Sequence, residues 1–268
     1  MAGSPLRIVR SLGEGFQQPT GWSGTGPLPK LGRKPSSSEL SINTRRMNVM
    51  SGNLHRILDT LTPEQEHAGD IWYQEGHEHA RKLGLLSGAE HAPAHEIGAG
   101  LLAVTSPANE WDRNLIVSHQ LAKGGAISQG HWYRGSVEHQ NKARNILGGA
   151  DPRASIVVPG STALKTPNFF ENLADPSNPN FVTIDRHAHD ALTGHVLTGD
   201  TRDLNSLSGY NSLAHVYNRV AKERGLLPNV AQARAWVGYK QLKGDRTRGF
   251  DFHEYLRNTG QHEEYEDL

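Results

Sequence analysis

Cysteine is absent from the 268-residue sequence. That excludes a disulfide framework, a Cys-ligated zinc, an iron–sulfur cluster and a thiol nucleophile. No apolar run approaches the roughly 20 residues of a membrane-spanning helix, and the Gly/Ser/Pro-rich start lacks the apolar centre of a signal peptide. The expectation is a cytoplasmic protein with no membrane partner. Aromatic residues are few, at 7%. There is also no excess of charge, because 28 Lys and Arg balance 28 Asp and Glu. At first sight this disfavours a nucleic-acid partner, since neutralising phosphates supplies most non-specific affinity. What remains is 35% apolar residues and 29 glycines, an ordinary globular composition.

The zero net charge averages two unlike regions. Gly, Ser and Pro make up 19 of the first fifty residues, a composition typical of linkers. This stretch carries Arg7, Arg10, Lys30, Arg33, Lys34, Arg45 and Arg46 against Glu14 and Glu39, a net of +5 that leaves −5 for 51–268. It reads as a flexible basic arm over 1–50, either touching a polyanion or simply solvated. The remainder, 51–268, reads as one domain.

Within that domain the apolar spacing is helical almost throughout. A short helix is expected from Asn53 to Thr60. Thr62-Pro63-Glu64-Gln65 then combines an N-cap, a Pro at the first helical position and a capping-box partner, and Gly84 is placed to end the helix it opens. A buried helix is expected over Pro93–Thr105, with Ile97, Leu101, Leu102 and Val104 among the small residues Gly98, Ala99 and Gly100. Further helices are expected near 111–122, 133–147, 163–174, 185–193, 209–224, 230–242 and 250–258. Ile156-Val157-Val158 and Phe181-Val182-Thr183-Ile184 are β-branched runs too short for a sheet-based fold. The expected fold class is mainly α, a single domain of nine or ten helices behind the arm.

Two segments carry the chemistry-bearing motifs. One is Val158-Pro159-Gly160 leading into Lys165-Thr166; the other is Ile184-Asp185-Arg186-His187, twenty residues beyond the Lys. Together they resemble the helix-hairpin-helix DNA glycosylase superfamily, in which an apolar-Pro-Gly turn opens a Lys-Thr helix and an apolar-apolar-Asp-x-His segment opens the next. Gly160-Ser-Thr-Ala-Leu-Lys165 is longer than the usual hairpin and has one glycine. Leu101–Asn114, Lys142–Leu147 and these two segments, in this order, are also similar to uncharacterised proteins common in bacteriophages of actinobacteria. The resemblance implies a glycosylase-like fold that binds DNA and engages a flipped base. The implied activity is N-glycosidic cleavage, or the attachment of amines to activated 5-hydroxymethyluracil that distant phage enzymes of this fold perform. A non-catalytic DNA- or protein-binding protein retaining the fold is the alternative.

The residues admit these roles beside plainer ones. Asp185 at a helix start is a candidate catalytic carboxylate, holding a water or facing the developing positive sugar; as an Asp there it is equally an N-cap. Lys165 is a candidate amine nucleophile or, more simply, a phosphate contact assisted by Gly160, Thr166 and Arg186. Asn109, Trp111, Arg113 and Asn114, with His187, are pocket candidates, and Trp111 is placed either to stack a base or to anchor the core. The fifteen histidines suggest a metal, but His77/His79 and His187/His189 stand two apart and diverge on a helix, and Pro93 separates His91 from His95. No metal and no cofactor are expected.

Overall fold

The computed structural model describes residues 23–24, 37–107, 109–125, 137–157, 161, 163–194, 204, 206–243 and 251–268. Among these residues there are twelve helices and one two-stranded pairing. In chain order they are β1 (Ser23–Gly24), α1 (Ser37–Asp59), α2 (Pro63–Ser87), α3 (Ala94–Thr105), α4 (Trp111–Ala122), α5 (Val137–Leu147), α6 (Pro152–Ile156), α7 (Lys165–Ala174), β2 (Phe181–Val182), α8 (Arg186–Thr193), α9 (Leu207–Arg224), α10 (Pro228–Lys243), α11 (Phe252–Asn258) and α12 (His262–Glu266). The strands pair antiparallel, Ser23 opposite Val182 and Gly24 opposite Phe181. The protein is therefore mainly helical, and the two helices beyond the ten expected are the five-residue α6 and α12.

Local signals are realised as chemistry at the start of α2. The Thr62 hydroxyl accepts from the Gln65 amide at 3.3 Å, and the Gln65 side chain accepts from the Thr62 amide at 2.9 Å. The far end differs from expectation, for α2 runs through Gly84 to Ser87 and is capped by Gly88. Gly84 is needed for a helix crossing instead: a Cβ there would overlap the Ala94 carbonyl, and one on Gly98 would overlap the Ala80 carbonyl. Ala80/Gly84 on α2 and Ala94/Gly98 on α3 are both four apart, so each helix presents a flat face to the other.

The start of α1 is a second correction. Instead of a short helix from Asn53 behind an arm ending at 50, α1 begins at Ser37 and crosses that boundary. Met50, Leu54, Ile57 and Leu58 are buried on it and Met47 packs beside them, a stripe at helical spacing.

Two apolar clusters result. The larger gathers Trp72, Leu83, Leu101, Leu102, Trp111, Ile116, Phe169, Leu173, Trp236 and the C-terminal Phe252, Leu256 and Tyr265. The smaller joins α1 to Val182, Ile184, α8, α9 and Tyr239. α10 serves both, giving Ala233, Trp236 and Val237 to one and Ala235 and Tyr239 to the other. Arg234 ties it to α2 through a two-pronged contact with Asp70. No described helix is long and apolar enough to cross a membrane.

Candidate functional site

The extended run Val182-Thr183-Ile184 delivers Asp185 to the start of α8. Its backbone is extended, at φ −103° and ψ −174°, and its carboxylate accepts from the Ala188 amide at 2.6 Å. Asp185 is thus the N-cap of α8, satisfying an amide that the helix leaves unpaired. A cap on a surface helix sits in water, but this one is only 1% exposed. α8 is buried on nearly every side, with His187, His189 and Asp190 each at 2% exposure. Arg186 is exposed at its first position.

The surroundings are phenolic. Tyr210 accepts the Ile184 amide at 2.9 Å, and Tyr217 donates to the Ala188 carbonyl at 3.0 Å, so α9 grips α8 on both sides of Asp185. Tyr73, on α2, donates to Gln232 at 2.8 Å. Burial raises the pKa of all three phenols, and the Asp185 carboxylate pushes each further up. They remain protonated at neutral pH. His189 Nδ1 lies 3.0 Å from Asp190 Oδ1, and the Arg186 guanidinium donates to His187 Nε2 at 3.3 Å. His187 Nε2 is therefore an acceptor, which places its proton on Nδ1.

Lys165 and Thr166 are the first residues of α7, half-buried at its N-terminus, where no side chain caps the helix. α7 reaches the Asp185 segment through Asn172, whose amide donates to the Thr183 hydroxyl at 3.2 Å. Seven residues separate Lys165 from that contact, about 10 Å along the axis. Gly160 lies outside the described residues. The structure thus brings together the element that carries Lys165 and the one that carries Asp185.

The other pocket candidates belong elsewhere. Asn109 donates to the Thr105 carbonyl at 2.6 Å, Asn114 to the Leu102 carbonyl at 3.0 Å, and the Ser106 hydroxyl to the Ala103 carbonyl at 3.0 Å. These are carbonyls of the last turn of α3, which the helix itself leaves without partners. Trp111 packs its ring 5.3 Å from Trp72 and 5.9 Å from His79, in the larger core. Arg113 is half-exposed beside them. The anchoring role of Trp111 and the capping roles of the two asparagines are what the structure displays.

Asp190 and the three tyrosines are not among the candidates from the sequence, and His189 is considered there only as a metal ligand. His187 and His189 do diverge, as two-apart residues on a helix must, but on a helix enclosed all round both directions lead inward. Three of the other histidines weighed as metal ligands have partners of their own: His77 Nδ1 lies 2.7 Å from the Leu173 carbonyl, His79 Nδ1 2.9 Å from the Tyr265 hydroxyl, and His91 Nε2 3.2 Å from the Ala150 carbonyl, while the His95 ring packs 5.2 Å from that of His77.

A family model described as "Family of unknown function (DUF7178)" matches residues 36–243, from the residue before α1 to the last of α10. No curated protein and no solved structure matches the chain.

Proposed function

The chain belongs to the family of unknown function DUF7178, and we propose from its α8 site that it is a DNA-acting enzyme of glycosylase-like helical fold, engaging a base or modified base flipped from the duplex. The observation that carries this reading is the burial of Asp185, His187, His189 and Asp190 within six residues. Capping α8 needs Asp185 alone. Burying three further ionisable groups beside it costs stability that an apolar α8 would retain, and such groupings mark sites of chemistry.

The roles follow from position. A flipped base brings C1′ of its sugar toward Asp185, whose carboxylate stabilises the positive charge that develops as the N-glycosidic bond lengthens. In the excision reaction a water attacks C1′ from a position held by Asp185, its proton passes to the carboxylate, and the bond electrons leave with the base. The surrounding low-dielectric cage of Tyr73, Tyr210 and Tyr217 strengthens that electrostatic term, because the phenols are fixed dipoles that need no reorganisation. Lys165, Thr166 and Arg186 stand at the starts of two helices and contact the phosphates flanking the flipped nucleotide, a sequence-independent hold. In the modification reaction an activated 5-hydroxymethyluracil takes the same place beside Asp185, and an amine displaces its leaving group and gives up a proton to solvent.

Nucleoside mass spectrometry on DNA containing uracil, 5-hydroxymethyluracil or phosphorylated 5-hydroxymethyluracil, with amines supplied, separates the two outcomes. The wild-type protein should release or convert one of these bases, and Asp185→Asn should slow it by about a thousandfold or more. Unchanged nucleosides on every substrate would leave the binding-only reading. Under either, Lys165→Glu should weaken DNA binding and flatten its salt dependence by about one unit of log–log slope.

A further inference from the structure

The last two helices, α11 and α12, lie beyond the span that the family model matches, and they assemble a group of side chains that the α8 site does not use. His253 is the second residue of α11; His262 and Glu266 open and close α12. Four apart on one helix, His262 and Glu266 share a face. One ligand atom from each of the three side chains lies within 4.8 Å of the other two.

The geometry points to a binding site for a borderline divalent cation of the zinc type, held by His253, His262 and Glu266. Zinc–ligand bonds of about 2.0–2.2 Å put neighbouring ligand atoms about 3.3 Å apart in a tetrahedron. His253 Nδ1 and Glu266 Oε1 already stand at 3.6 Å, close to such an edge. The widest separation need shorten by at most about 1.5 Å to reach a tetrahedral edge. The side chains of His253 and Glu266 are partly exposed, at 27% and 44%, so side-chain rotation can supply such a movement. Two imidazoles and one carboxylate suit zinc, whereas magnesium and calcium take oxygen donors. Three protein ligands leave the fourth position to water.

Lys82 supplies the surrounding support. Its ammonium donates to the Tyr265 and Glu266 carbonyls at 2.9 and 3.1 Å and lies 3.6 Å from Glu266 Oε2. It holds the carboxylate oxygen turned away from His253, which orients Oε1 toward the metal position as an outer-shell partner does. The buried Tyr265 between His262 and Glu266, bonded to His79, fixes α12 against α2. A bound cation would therefore clip α11 to α12 and both to the body.

The competing arrangement is a His253–Glu266 ion pair in which His262 takes no part, so His262 is the discriminating residue. The full chain, freed of metal with chelator and dialysed, would be titrated with zinc chloride by calorimetry and with cobalt chloride by visible absorption. One equivalent of zinc should bind, with the intense visible bands of a low-coordinate cobalt site. His262→Ala and His253→Ala should each weaken zinc binding at least tenfold, and Glu266→Gln should do so while keeping the side chain's shape. Zinc should raise the thermal midpoint of the wild type and not of His262→Ala, with circular dichroism checking that each variant is folded. Wild-type zinc binding that is absent, or unchanged in both His262→Ala and Glu266→Gln, would overturn the site.

Discussion

The two ends of α3 and α8 handle buried polarity in opposite ways. At the end of α3 every polar group in the Thr105–Asn114–Ser118 network is neutral. Thr105 Oγ1 lies 2.6 Å from both the Leu101 carbonyl and Asn114 Oδ1, with one proton to share between these acceptors, and 2.8 Å from Ser118 Oγ, while the Asn114 amide donates to the Leu102 carbonyl. Such a network serves the fold, since it answers backbone carbonyls at the end of α3. At α8 the buried groups are ionisable, and the carboxylate of Asp185 caps the helix. Neutral amides close a helix cheaply, and replacing them with titratable groups brings a desolvation cost that capping does not require. The contrast separates a neutral polar site from an ionisable one within the same domain.

Perturbing the packing that holds the first region should have the largest effect. Gly98→Ala places a methyl group on the Ala80 carbonyl where α2 and α3 touch backbone to backbone. It should cost about 4 kcal/mol or more in urea unfolding, since neither helix can retreat without uncovering the larger core. Asn114→Ala comes next, at about 3 kcal/mol, because it removes the closer of two side-chain donors to the Leu102 carbonyl and an acceptor of Thr105 in a fully buried place. Loss of less than about 1 kcal/mol for Asn114→Ala would break the distinction, as it would make this network no more structural than the other.

Local chemistry made part of this legible. Thr62-Pro63-Glu64-Gln65 announces α2 because a capping box is complete within four residues. Gly84 misleads because a helix end and a helix crossing both call for a residue without Cβ, and only the position of Ala94 decides between them. The start of α1 was hidden by its Ser-rich first turns, although Met47, Met50, Leu54 and Ile57 carry the helical stripe. Asp185 stood out through its motif. His189 and Asp190 did not, because what encloses them comes from α1, α9 and α10, far away in sequence. His262 and Glu266 share a face, but their third partner stands on another helix.

Acid should loosen the C-terminal helices by a middling amount. Burial lowers the pKa of His79 from 6.5 to about 3 and that of His119 from 6.5 to about 4, with the Lys82 and Lys123 charges adding to the respective shifts. Both rings pack against Phe252 and Tyr265. Unfolding lets these histidines take up protons at their ordinary pKa, so the unfolded chain binds more protons between pH 6.5 and 4. Their contribution is present above pH 6.5 and declines as the pH falls through that window. His119→Gln should flatten the slope of stability against pH; a parallel slope would place the acid sensitivity elsewhere.

The smallest stability effects sharpen the comparison most, because they fall on the residue assigned both roles. Asp185→Ala removes the acceptor of the Ala188 amide and should cost about 1 kcal/mol, the usual loss of an N-cap. Asp185→Asn keeps an oxygen in the same place, and Asn caps helices as well as Asp does, so unfolding should change by about 0.5 kcal/mol or less. A cap is indifferent to this exchange, whereas a carboxylate facing a developing cation is not, since the amide carries no charge. A variant as stable as the wild type but devoid of base release or conversion would divide the two roles of Asp185. If Asp185→Asn retained full activity on a responsive substrate, the carboxylate would be a cap alone, and the ionisable groups packed around it would lose their explanation.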